Sequence, residues 1–266
     1  MQTVIDIHTH AFPDEIAARA MPKLAAEADL TPALDGTLGA LLRSMDEAGV
    51  DQSVLLSIAT KPSQFDAIMD WSRTIRSERI IPFPSVHPAD PLALERLDRI
   101  AAEFPGIKLH PYYQDFYLDE ERLFPLYERC AELGLILLCH TGYDIAFPRD
   151  PRATPERIVR VVDRYPELRL ITSHIGAWDD WAAVRDLMLG RPIYMDVSYS
   201  FEFPDPDNII GDILARHPAE YILFGSDSPW GDQRQTIERI RERVADPAAR
   251  AAILGGNATR LLGVKK

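Results

Sequence analysis

Val4-Ile5-Asp6-Ile7-His8-Thr9-His10 decides how the rest of the chain is read. A short apolar run rich in β-branched residues reads as a buried strand, and it ends in two histidines spaced by one residue. Side chains alternate faces along a strand, so His8 and His10 are expected to point the same way. An HxH pair alone is a weak signal, and its weight depends on partners from other strands.

Seven more runs of the same kind follow: 53–57, 80–86, 106–109, 135–139, 168–173, 193–198 and 221–226. Stretches with helical spacing separate them, among them 38–48 before Gly49, 91–103, 120–133 before Gly134, and 155–164 beginning at Pro155. Strand and helix alternating at this spacing predict a parallel α/β fold, and eight units predict a (β/α)8 TIM barrel. A single domain over residues 1–266 is expected, because no linker, low-complexity tract or short repeat interrupts the pattern. The segment 11–37 is longer than one unit needs and is expected to lie over the barrel mouth.

Bulk properties narrow the classes of function. The formal net charge is -12, from 41 acidic and 29 basic side chains, so the average field repels nucleic acid and anionic membrane surfaces. No apolar run approaches the roughly 20 residues that span a bilayer, and the N-terminal sequence has no basic start, apolar middle and cleavage site. Cys130 and Cys139 lack paired spacing and read as buried free thiols. These features predict a cytoplasmic protein whose partner is a small-molecule substrate. A homo-oligomer stays open, since no helical stripe selects a symmetry.

Six of the seven histidines, His8, His10, His87, His110, His140 and His174, fall at or just beyond predicted strand ends. In a parallel barrel those ends share one mouth, where imidazole serves as metal ligand or as acid and base. Asp227, in Gly225-Ser226-Asp227-Ser228-Pro229-Trp230, ends the eighth strand, which barrel closure puts beside the first. Three neutral imidazoles and a carboxylate suit Zn2+ and tolerate Mn2+, Fe2+ or Co2+. Lys108 and His110 share the inward side of the fourth strand. Lys108 has three readings: a carboxylated bridge between two metals, a cation for a substrate carboxylate, or an ion-pair partner of Asp6 or Asp196. The last two are preferred, and one metal ion with them. His87 and Asp196 either touch substrate or satisfy loops, and His217, at a helix end, is given no function.

Taken together, Asp6-Ile7-His8-Thr9-His10, Gly106-Ile107-Lys108-Leu109-His110-Pro111, His140-Thr141-Gly142, Ser173-His174-Ile175-Gly176, the Asp227 motif and Gly256-Asn257-Ala258-Thr259-Arg260-Leu261-Leu262-Gly263 resemble the amidohydrolase superfamily nearly end to end. The resemblance is to the branch containing aminocarboxymuconate semialdehyde decarboxylase and related metal-dependent hydrolases. It implies one divalent metal, Zn2+ first and Mn2+ second, held by His8, His10, His140 and Asp227, with His174 as a nearby acid, base or orienting group. The leading expectation is hydrolysis of a small polar amide, ester or lactone by a metal-activated water, Asp227 and His174 being the catalytic pair and Lys108 and His110 binding substrate. Arg152 is a further candidate anchor for a substrate carboxylate. The alternative is non-oxidative decarboxylation of an unsaturated or aromatic acid, because the same ligands serve both reactions.

Overall fold

A computed structural model describes residues 3–264. The single domain expected over 1–266 therefore includes four residues, Met1, Gln2, Lys265 and Lys266, that lie outside the described ones. Eight strands follow one another in parallel: β1 (Ile5–Thr9), β2 (Gln52–Leu56), β3 (Ile80–Phe83), β4 (Gly106–Leu109), β5 (Ile136–Cys139), β6 (Arg169–Thr172), β7 (Tyr194–Asp196) and β8 (Ile222–Leu223). Each overlaps a predicted run: β1 continues two residues beyond its run to Thr9, β2 is shifted by one residue, β4 matches, and the others are shorter at their ends.

The strands pair as β1-β2-β3 and as β4-β5-β6-β7-β8. Backbone hydrogen bonds join the two groups at both gaps. Lys108 N donates to Pro84 O at 2.9 Å, and on the other side Ile7 N donates to Phe224 O and Asp227 N to His8 O, each at 2.8 Å. The result is the expected barrel, with β8 beside β1.

The helices are α1 (Asp14–Ala28), α2 (Leu38–Ala48), α3 (Phe65–Ile75), α4 (Ala93–Ala101), α5 (Phe124–Glu132), α6 (Pro155–Arg164), α7 (Trp181–Leu187), α8 (Ile209–Arg216), α9 (Gln233–Arg243), α10 (Pro247–Ala251) and α11 (Asn257–Leu262). Local chemistry sets their ends. Thr37 Oγ1 accepts from Ala40 N at 3.1 Å to cap α2, and Gly49 closes that helix in the left-handed conformation. Pro155 opens α6, where its fixed φ suits the first turn.

Two buried clusters follow from strand alternation. Leu55, Ile107, Leu137 and Met195 pack with helix residues such as Met69 and Ile100. Val54, Leu56, Phe83, Leu138, Ile171 and Leu223 fill the inside of the barrel, joined by Ala258 and Leu261 of α11. This inner plug supports the mouth from below.

The segment 11–37 lies over the mouth, as expected. Its α1 is followed by a return in which Ala33 N and Leu34 N donate to Pro229 O at 2.7 and 3.1 Å, tying the excursion to the loop after β8.

Candidate active site

Barrel closure brings β1 and β8 together, and with them the first cluster. His8 Nε2 and His10 Nε2 lie 3.2 and 3.3 Å from the same atom, Asp227 Oδ1. The pairing of β1 with β2 slips between Asp6 and Thr9, so strict alternation does not run through the strand, yet both imidazoles still reach Asp227.

The far ring nitrogens are anchored. His8 Nδ1 is 2.9 Å from Asp196 Oδ2 on β7, and His10 Nδ1 is 3.0 Å from Leu56 O on β2. A ring whose Nδ1–H donates to an oxygen turns the Nε2 lone pair toward the third group, the arrangement that metal-ligating histidines adopt. Burial holds the His8 pKa well below the ordinary imidazole range, and the nearby Lys108 ammonium pushes the same way. Burial raises the Asp227 carboxyl, but His8, His10 and His174 together outweigh it and leave its pKa below the usual range. Two imidazoles and an ionised carboxylate, with atoms this close, fit a divalent ion.

A second group forms on the other side of the mouth. His110 and His140 stack with ring centroids 4.2 Å apart, and Asp144 Oδ2 lies 3.3 Å from His110 Nε2 and 3.7 Å from His140 Nε2. Burial lowers the two imidazoles to about 4 and about 3, respectively. Burial acts to raise Asp144, but its hydrogen bond to His110 and the charge of His140 bring it below the usual range. Asp144 was not among the sequence candidates. It sits in a loop four residues beyond His140, and only that spacing could have pointed to it.

His174 bridges the two groups. Its Nε2 is 3.1 Å from His140 Nδ1, its Nδ1 is 2.9 Å from Ser198 O, and burial lowers its pKa to about 4. In this structure His140 faces His174, His110 and Asp144, while His8, His10 and Asp227 form a separate close set. His174 and Asp227 share another property: both have φ near +60°, a conformation that costs a non-glycine residue energy and recurs at functional positions.

Lys108 is buried, with Nζ 3.3 Å from His8 Nε2. Burial pulls its pKa down, opposed chiefly by Asp227. The ion-pair partners expected for it are engaged elsewhere. Asp6 accepts from Ser226 Oγ at 2.6 Å and from Gln233 Nε2 at 2.8 Å, and burial pushes its pKa up to about 7. Asp196 pairs with His8 and accepts from the backbone of His174 and Ser198. Arg152 is bound to Asp150, Asp115 and Pro111 O and is not part of the cavity wall. His87 accepts from Ala89 N in its own loop, and His217 is bonded to Ile193 O, so each satisfies local backbone.

One cavity of about 400 Å³ is lined by His8, His10, Lys108, His110, His140, Asp144, His174 and Asp227. The rest of the lining is mostly apolar and aromatic, drawn from α1, α3 and the loops after β4 to β8, with Ser57, Thr60 and Gln64 among it.

The family model described as Amidohydrolase matches residues 5–264, and the chain belongs to that family. An uncharacterized TIM-barrel protein from Bordetella bronchiseptica superposes with TM-score 0.80 at 22% identity, covering 98% of each chain. A dihydroxybenzoic acid decarboxylase from Polaromonas sp. JS666, solved with bound manganese and the inhibitor 2-nitroresorcinol, has TM-score 0.72 at 17% identity, covering 100% of this chain and 98% of that one. A dihydroorotase of Shewanella sediminis (strain HAW-EB3) is 25% identical over 180 residues, 63% of this chain and 46% of the relative. The chain thus spans less than half the length of that curated relative. It is an enzyme of the amidohydrolase superfamily on a TIM barrel, similar in fold to that dihydroxybenzoic acid decarboxylase.

Proposed function

We propose that this enzyme is a metal-dependent, non-oxidative decarboxylase of an unsaturated or aromatic carboxylic acid. The observation that carries the reading is the cavity itself, in which His8, His10 and Asp227 face walls that include Trp71, Tyr113, Trp178 and Trp230. Flat aromatic walls suit a planar ring, while the small polar acyl compounds expected for a hydrolase offer them little to bury. The fold likeness to manganese-containing decarboxylases supports the same choice over the hydrolase first expected.

His8, His10 and Asp227 would hold the metal, with His140 as the fourth ligand that the family resemblance implies. When bound, the ion supplies a fixed positive charge that orients the substrate's oxygens. Lys108, buried beside His8, offsets the carboxylate charge. In the reaction the ring carbon takes up one proton, the bond to the carboxylate carbon breaks, and its electron pair stays on the ring as CO2 leaves. His174 and Asp227, fixed in their left-handed turns, hold and move that proton. The apolar walls exclude bulk water from the charged intermediate.

Hydrolysis of an amide, ester or lactone is the second reading, favoured by the dihydroorotase match and by Asp227 as a proton acceptor. The experiment is incubation of the Mn2+- or Zn2+-loaded protein with hydroxybenzoates and, separately, with cyclic amides and lactones. Release of CO2 in step with the decarboxylated arene, abolished in Asp227→Asn, supports the proposal. Ring opening of an amide or lactone without CO2 from any acid overturns it.

A further inference from the structure

We infer that the preferred substrate is a monocarboxylate whose body is a large apolar group reaching the mouth between Ile16 and Ile145, an inference that rests on the acid-binding reading above. Two features carry it. The first is charge. Among the described residues lining the cavity, Lys108 is the sole lysine or arginine, and Asp144 and Asp227 face it. A divalent ion and Lys108 are thus the cationic partners this lining offers a substrate carboxylate, and Asp144, Asp227 and, behind His8, Asp196 already compete for them. A second carboxylate held against the apolar part of the lining would have no cation beside it, which is costly.

The second feature is the outer wall. The excursion over the mouth contributes Phe12, Ile16, Leu24 and Leu30, and α3 contributes Ile68 and Trp71. At the rim, Ile16 on α1 and Ile145 after β5 remain 44% and 40% exposed, two of the five large apolar side chains left open to solvent among the described residues. Both belong to the cavity lining. Scattered exposed apolar residues need no explanation, but these two line the same cavity and extend its mostly apolar wall to the solvent-exposed rim. A small polyhydroxylated acid would leave that path unused, whereas an alkyl or aryl substituent para to the carboxylate would fill it.

Calorimetric binding to the Mn2+-loaded protein tests this without turnover, using benzoate, isophthalate and 4-butylbenzoate. Each buried methylene is worth about 4-fold in affinity, so 4-butylbenzoate should bind at least about 10-fold more tightly than benzoate. Isophthalate should bind at least about 10-fold more weakly than benzoate, its second charge being unpaired. In Ile16→Asp/Ile145→Asp, whose substitutions are at exposed positions, the butyl advantage should shrink to less than about 3-fold. Isophthalate binding as tightly as 4-butylbenzoate, an unchanged butyl advantage in the double variant, or no measurable binding of 4-butylbenzoate to the folded protein overturns the inference. If the ranking holds and no acid releases CO2, the inference stands and the decarboxylase reading falls. If CO2 is released and the ranking is reversed, the decarboxylase reading stands and the inference falls.

Discussion

Asp196→Asn isolates the role of the residue behind the candidate metal centre. Asp196 Oδ2 lies 2.9 Å from His8 Nδ1, and Oδ1 accepts from His174 N at 3.2 Å and Ser198 N at 3.0 Å. An asparagine that keeps its carbonyl oxygen on those two backbone donors must turn its amide NH2 toward His8 Nδ1. The ring then accepts at Nδ1 and carries its proton on Nε2, the atom that faces Asp227 at 3.2 Å. Metal binding would require reversing that tautomer and losing the bond. Replacing such a supporting carboxylate lowers metal affinity by about 10- to 100-fold, or about 1.4–2.7 kcal/mol. The backbone bonds survive, so the fold should not change. Affinity is read by competition with a chromophoric chelator and folding by circular dichroism. A folded Asp196→Asn protein that binds Mn2+ or Zn2+ as tightly as the parent would refute the assignment of His8 Nε2 as a ligand atom.

Three further outcomes are expected. Lys108→Met removes a buried cation that no carboxylate pairs with directly among the described residues, so Tm should hold or rise while benzoate affinity falls at least about 10-fold; a Tm drop above about 5 °C would show a structural ion pair instead. Gly142, at φ +86°, has no room for a side chain, since a Cβ would lie 2.1 Å from Trp178 N; Gly142→Ala should disturb the Tyr143 N to Trp178 O bond and cost about 2–4 kcal/mol, seen as a reduced denaturation midpoint. Burial pushes the thiols of Cys130 and Cys139 up to about 12, so the native protein should resist a thiol reagent at pH 8 and react at both sites once unfolded. Because the unfolded thiols ionise near pH 9 and the folded ones do not, stability should decline as pH rises from about 9 toward 12, and a flat stability profile over that window counts against it.

Hydrophobic period alone determined much of this protein. The eight apolar runs are the eight strands, and Gly49 and Pro155 mark the helix ends they were expected to mark, because local propensity and capping act over a few residues. Placing six histidines at strand ends also required only the rule that parallel strands share a mouth. What each side chain meets there was decided by tertiary structure. Asp6 and Asp196 look alike as partners for Lys108 in the sequence, yet one is held by Ser226 and Gln233 and the other by His8. Asp144 had no motif to announce it, and it became part of the site only when its loop folded under His110 and His140. The apolar walls come in part from an excursion whose place over the mouth was legible from its length, but not which of its side chains line the cavity. Strand order fixes which ends meet, but contacts across the mouth join residues more than two hundred positions apart, and their partners depend on the barrel's curvature and on competition among many polar groups for a few buried places.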